Sequence, residues 1–281
     1  MLVVTPGDPR GIGPEVAVKA LTDWPHPVAL VGDRFAIGTW ADRSGLLWHL
    51  ASGLGSQGEG VPVIEPEGDE PVEIRALRFA VSACLEGRAA GLVTGPIHKA
   101  RLAARGFGHP GHTEFLGELC GIDRPVMAFV GGQVRVALVT VHVPLAQVSS
   151  RLTTALVRHT IEEAGRACTQ QLGLDHPHLT VCGLNPHAGD DGLLGTEDAA
   201  IIAPAVADAA STWNVHGPVS AENAFRAAVL GDTDLVVAMY HDQGLIPVKL
   251  LAFESAVNVT LGLGVWRTSP DHGTAYDIAG R

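Results

Sequence analysis

Three strand-like runs in this chain end on a histidine: VRVALVTVH at His142, HLTVCGLNPH at His187 and LVVAMYH at His241. The carboxyl ends of parallel strands share one edge of a sheet, and ligand sites gather there. Three imidazoles delivered to that edge could converge on one divalent cation. Neutral imidazole suits zinc and its neighbours, and three protein ligands leave a position open for water or substrate, the pattern of a catalytic site. Strand-end histidines satisfied by water are the alternative, and the pattern alone leaves both readings open. Lysine is scarce, at Lys19, Lys99 and Lys249. Lys99 lies in LVTGPIHK and Lys249 just past HDQG, each shortly after a strand-like run. An ammonium whose pKa moves readily on burial can pair with an anion or act as acid or base, which arginine does poorly. A lysine simply exposed on a loop or helix is the other reading.

Two glycine-rich stretches could also hold a ligand. TPGDPRGIGPEVAVKA has a strand before it and a helix after it, with Pro14 placed for the first helical turn, so its backbone could approach an anion at a helix N-terminus. It matches neither GxGxxG nor a Walker A pattern. In GHPGHTEFLGELCG, His112 and Thr113 stand at the start of a helix, with Glu114 near its positive end. Capping would explain Thr113; so would a grip on substrate.

The elements that must position these residues alternate along the chain. MLVVTP, HPVALVGD, AGLVTGP, VRVALVTVH, HLTVCGLNPH, TDLVVAMYHD and AVNVTLGLG read as strands. VEIRALRFAVSACLEGR, TTALVRHTIEEAGRACTQQLG and GTEDAAIIAPAVADAAS read as helices. Apolar runs without polar alternation suit strands covered on both faces, hence an α/β fold with a mostly parallel sheet. Residues 50–71, rich in Gly, Pro and Glu, read as an exposed loop. A chain of 281 residues with 46% hydrophobic residues can bury one large domain or two lobes. The net charge of −11 argues against nucleic-acid binding, which needs a positive surface, yet leaves room for a local cationic cluster around a small anion. Cys84, Cys120, Cys168 and Cys182 form no CxxC pair and read as reduced, buried thiols. With no basic lead-in at MLVVTPGDPRG and no long apolar run, the expectation is a cytoplasmic protein without a membrane anchor.

TPGDPRGIGPE, VTGPIHKA, GHTEF, LNPHAG, GTED, AMYHDQGLIPVK, VNVTLGLGVWRTS and DHGTAYDIAG occur in this order from about residue 3 to residue 280. Together they resemble 4-hydroxythreonine-4-phosphate dehydrogenase, an NAD(P)-dependent enzyme of pyridoxal phosphate biosynthesis. The resemblance implies two α/β/α lobes with an interlobe cleft, like isocitrate and isopropylmalate dehydrogenases. Residues 1–105 with 262–281 would form the cofactor lobe, and 106–261 the metal-ligand and dimerisation lobe. It implies a divalent metal (zinc first, magnesium or cobalt otherwise) on His142, His187 and His241, within a homodimer whose subunits share the site. Substrate residues would be His112, Thr113, Lys249, Asn258 and Arg267, and His272, Gly273, Thr274 and Asp277 would contact NAD or NADP. Asp242 would orient a metal-bound imidazole or move a proton, the sequence leaving both open. Lys249 and Arg267 would hold the substrate's anionic groups. The stretch LVVAMYHDQGLIPVK reads as strand end, ligand, supporting carboxylate, glycine bend and anion-holding lysine. The implied reaction oxidises 4-phosphooxy-L-threonine to a 2-amino-3-oxo acid phosphate, which decarboxylates to 3-amino-2-oxopropyl phosphate. Sister enzymes on a four-carbon aldonate phosphate or a cis-diol carboxylate, and a non-catalytic metal- or ligand-binding homologue, are the alternatives. Two departures stand out. GPVSAENAF carries Glu222 where the family pattern has aspartate, and the sequence ends soon after DIAG, where the pattern continues into a helix; its absence would expose apolar surface, alter the cofactor pocket, or mean that the sequence is a piece of a longer one.

Overall fold

The computed structural model describes residues 1–109 and 111–281 and divides the chain into two compact units, Met1–Pro125 with Leu263–Arg281, and Val126–Gly262. The chain begins with β1 (Leu2–Thr5), α1 (Gly13–Leu21), β2 (Val28–Val31), α2 (Arg34–Ser44), β3 (Trp48–Leu50), β4 (Val61–Ile64), α3 (Val72–Leu85), β5 (Gly91–Thr94), α4 (Lys99–Ala103) and α5 (His112–Cys120). It continues through β6 (Val126–Gly131), β7 (Val134–Leu138), α6 (Val148–Arg151), α7 (Thr154–Arg166), β8 (His178–Cys182), α8 (Ala203–Ala209), β9 (Asn214–Val219), α9 (Ala221–Leu230), β10 (Leu235–Ala238), α10 (His241–Ala252) and β11 (Val257–Leu261). With β12 (Arg267–Ser269) it returns to the first unit.

In the first unit the strand order is β3-β4-β2-β1-β5-β12, parallel throughout. β2 is buried at every position, which explains why VALV reads as an uninterrupted apolar run. β4 corrects the loop expected over residues 50–71. Val63 and Ile64 are buried there, and Leu30 and Val31 of β2 pair with them. Its proline and the Gly- and Glu-rich flanks hid it, because four residues offer too short a pattern to compete with turn-forming composition. Residues 106–125, expected in the second lobe, belong to the first unit, because Phe115 and Leu116 of α5 are buried in one core with Ile74 and Leu77 of α3.

The second unit orders its strands β11-β6-β7-β10-β8-β9. The hairpin β6–β7 and the pair β6–β11 are antiparallel; β7, β10, β8 and β9 run parallel. Val157, Ile161 and Ala164 form the buried stripe of α7, four and three residues apart, against Leu179, Val181 and Val237 of the sheet. Burying a Val or Ile side chain such as Val157 or Ile161 contributes about 1.5–3 kcal/mol. The four cysteines are free thiols, and burial pushes Cys182 up to about 12, so it is inert at neutral pH. Among the described residues no helix is long and apolar enough to cross a membrane.

Candidate functional site

β7, β10 and β8 are neighbours and parallel, so their carboxyl ends fall on one edge of the second unit's sheet. His142 follows β7, His241 follows β10 and His187 follows β8. The structure brings two of them together. The rings of His142 and His241 lie 6.0 Å apart between centroids, at an interplanar angle of 39°. His241 Nδ1 stands 2.7 Å from Asp242 Oδ1. An ionised carboxylate only accepts, so Nδ1 donates and the lone pair is left on Nε2. A carboxylate behind an imidazole in this way fixes its tautomer and orientation toward a metal.

Among the described residues His187 does not complete the set: no three His, Cys, Asp or Glu side chains gather there as metal ligands. It lines a hollow of about 410 Å³ together with Asn185, Glu222, Tyr240, Asp242 and Gln243. The histidine belongs to an unusual run of backbone: His187, Ala188, Gly189, Asp190 and Asp191 have φ of 53, 54, 86, 44 and 53°. Left-handed backbone costs roughly 1–2 kcal/mol per residue that carries a Cβ. Glu222, at the start of α9, has its carboxyl held below the usual range by its own backbone amide and by Ser220, with His187 adding to the effect. The longer side chain therefore keeps a firm negative charge facing the same hollow.

The HDQG stretch differs from expectation in one respect. It is the first turn of α10 rather than a glycine bend, and Gly244 is buried inside the helix. A Cβ there would stand 2.5 Å from Leu138 Cδ2, so glycine lets α10 approach the sheet. Lys249 thus lies about 12 Å along the helix from His241, at 1.5 Å per residue, and its amine sits 5.7 Å from the Phe253 ring. Gln243 ties neighbouring strand ends: its Oε1 accepts from Met239 N and its Nε2 donates to Gly183 O, both at 2.7 Å. On β11, Asn258 Oδ1 is buried and has no hydrogen-bond partner among the described residues, so it can accept from a ligand donor.

In the first unit, α5 starts at His112, and Gly111 precedes it without a side-chain capping bond. Thr113 is therefore not the cap; it occupies the second helical position. Arg267 is buried at the start of β12, and its Nε and Nη2 donate to Thr94 Oγ1 at 3.1 and 2.8 Å. A Cβ built on Gly111 would lie 3.2 Å from Lys99 Nζ, which puts that amine at the start of α5. Burial lowers the His112 imidazole to about 3, and the positive charges of Arg267 and Lys99 push the same way. His112, although partly open to solvent, is thus a neutral ring among cations. That arrangement suits an anion, which would be drawn by Arg267, Lys99 and the helix N-terminus and would accept a hydrogen bond from His112.

The four residues expected to contact cofactor occupy a turn after β12. Ile12 N donates to Thr274 O at 2.8 Å, and His272 Nδ1 lies 2.9 Å from Gly273 O. Gly273 and Asp277 are exposed. His272 also lines an apolar hollow of about 240 Å³ with Val16, Ala20, Trp24, Val28 and Pro270. A buried ionic network fastens this turn: Asp8 accepts from the Tyr276 hydroxyl and from Arg101, 2.8 Å from Nη2, and Arg101 also pairs with Glu73. Burial alone would raise the Asp8 carboxyl, but the bonds from Tyr276, Arg101 and the Arg10 amide outweigh it and hold the group below its ordinary range. Sequence reasoning missed Asp8, Arg101, Gln243 and the pair Glu197–Asp198. TPGDP and GTED stood out as motifs, yet nothing local says which buried donor each carboxylate meets.

Residues 66–281 match the family described as pyridoxal phosphate biosynthetic protein PdxA. The chain belongs to that family. Over 307 residues it is 41% identical to 4-hydroxythreonine-4-phosphate dehydrogenase of Geobacter metallireducens, covering 99% of this chain and 89% of that protein. A crystal structure of the Klebsiella pneumoniae 4-hydroxythreonine-4-phosphate dehydrogenase superposes with a TM-score of 0.88 at 34% identity, covering 99% of this chain and 93% of that one. A terephthalate 1,2-cis-dihydrodiol dehydrogenase from Burkholderia xenovorans gives 0.70 at 31% identity, covering 99% and 91%. This PdxA-family chain thus shares its α/β fold and its mostly parallel sheet with named dehydrogenases.

Proposed function

We propose that this protein is a metal-dependent NAD(P) dehydrogenase that oxidises the secondary alcohol of 4-phosphooxy-L-threonine. The resulting 2-amino-3-oxo acid phosphate then loses its carboxylate as CO2 and leaves 3-amino-2-oxopropyl phosphate. The observation that carries the reading is the His142–His241 pair backed by Asp242, on the strand edge of a PdxA-family chain. These donors fit a divalent ion. Neutral imidazole nitrogens are donors that zinc and its neighbours take readily. Lewis-acid polarisation of the substrate oxygen is the chemistry such an ion supplies, and hydride acceptance is that of nicotinamide.

The chain's own residues have distinct parts in this reading. Asp242 orients His241, and its proximity supports that role over proton transfer. The substrate-binding parts fall to His112, Thr113, Lys249, Asn258 and Arg267, with Arg267 and Lys249 taking its anionic groups. Lys99 joins Arg267 beside His112. His272, Gly273, Thr274 and Asp277 contact the dinucleotide from a turn that the Asp8 network holds still. In this reading the protein is a homodimer whose subunits share the site. The reading places the enzyme in the cytoplasm, on a small phosphorylated substrate and without nucleic acid or membrane.

A second reading is favoured by the terephthalate dihydrodiol dehydrogenase likeness: a sister activity on a cis-diol carboxylate or a four-carbon aldonate phosphate. A substrate panel with NAD and with NADP, followed by absorbance of the reduced nicotinamide, decides between them. The main reading expects 4-phosphooxy-L-threonine to give the highest kcat/KM. A faster sister substrate would replace it. No turnover of any substrate by metal-loaded protein would leave a non-catalytic binding protein.

A further inference from the structure

The left-handed run that carries His187 must be held by something outside itself. Asp198 lies just beyond it in sequence, 2% exposed, in a π-helical turn (Asp198–Ile202) that leads into α8. Its Oδ1 accepts from Leu184 N at 2.7 Å, and its Oδ2 accepts from Asn185 N at 3.2 Å and Asn185 Nδ2 at 2.9 Å. The same amide also donates to Glu197 Oε2 at 2.9 Å. Asn185 O in turn accepts from Ala188 N at 3.0 Å, so the bonds lead from the carboxylate to the residue after His187. Space is equally tight: a Cβ on Gly183 would fall 2.6 Å from Asp198 Oδ1 and 2.8 Å from Ala188 Cα.

We propose that Asp198 is a positioning residue for His187, its buried carboxylate pinning Leu184 and Asn185 so that the left-handed turn presents the imidazole in one place. The inference rests on the reading of His187 as a metal ligand. Three donors converge on this carboxylate. An amide in its place would set an N–H against at least one of them, while hardly changing the volume. Backbone in the left-handed region has a ready escape to ordinary φ once its anchors go, and His187 would move with it. Asp198 touches no substrate; it acts through the turn.

The test is Asp198→Asn in the full chain, titrated with Co²⁺ alone by visible absorption and calorimetry, beside His187→Ala and Thr180→Val. The last removes a buried hydrogen bond, Thr180 Oγ1 to Thr233 Oγ1 at 2.9 Å, away from the turn, and controls for lost stability. Asp198→Asn should bind Co²⁺ roughly 10–100-fold more weakly, the usual effect of losing an outer support of a ligand. Thr180→Val should match the parent. Amide exchange should quicken at residues 187–191 in Asp198→Asn and stay slow in β10. Unchanged Co²⁺ affinity in Asp198→Asn, or an equal loss in Thr180→Val, overturns the positioning role. Parent affinity in His187→Ala, or no Co²⁺ uptake by the parent, overturns instead the reading on which it rests, and the positioning role falls with it.

Discussion

Replacing Asp242 by alanine separates the orientation of a ligand from the stability of the fold. The carboxylate lies 2.7 Å from His241 Nδ1, but its side chain is 72% exposed and that of the histidine 40%. A pair so open to water is screened and contributes roughly 0–1 kcal/mol to folding. At that size the midpoint of thermal unfolding should fall by no more than about 2–4 °C. Orientation is another matter. Without the acceptor, the proton can sit on either ring nitrogen and the ring can turn. Removing such a partner commonly weakens metal binding 10–100-fold, about 1.4–2.8 kcal/mol. The expected result is therefore a loss of affinity larger than the loss of stability. Calorimetric Co²⁺ titration gives the first quantity, and thermal unfolding in chelator the second. Unchanged affinity would refute the orienting role, and so would a stability loss large enough to account for the weaker binding.

Gly244→Ala should lower stability by up to about 2 kcal/mol in urea unfolding. Helix propensity gains about 1 kcal/mol, while overpacking against Leu138 and Val136 costs about 1–3; a more stable variant would show that the sheet yields. His112 should remain neutral in an NMR titration until the pH approaches about 3. Its folded value lies below the ordinary 6.5, so the unfolded chain binds more protons between the two. His112 should therefore destabilise the fold increasingly as pH falls through that window. A midpoint near 6.5 would contradict the described surroundings. Tyr276→Phe removes a donor to the buried Asp8 carboxylate and should cost about 1–2 kcal/mol at neutral pH. Because the Asp8 value is lowered below 3.8, that difference should be present above 3.8 and shrink as the carboxyl takes up its proton. A pH-independent difference would place the effect elsewhere.

The sequence by itself determined the class of fold and picked out histidines just past three apolar runs as candidates for chemistry. Buried parallel strands such as VALV and LVVA need apolar side chains at every position, and that demand is written locally. Histidines placed just beyond three such strands followed from the same logic, because strand ends in a parallel sheet point one way. Short or polar-flanked strands such as β4 escaped, since their stability comes from Leu30 and Val31 across the sheet and not from their own pattern. Only the tertiary structure decided that HDQG winds into a helix, because the space that accepts Gly244 is made by Leu138 and Val136 on another strand. It alone showed that His142 meets His241 and that His187 rides on a left-handed turn held from Asp198. Those facts depend on directed bonds between groups distant in the chain, such as Asp8 with Tyr276, and no local run of residues records where such a bond will end.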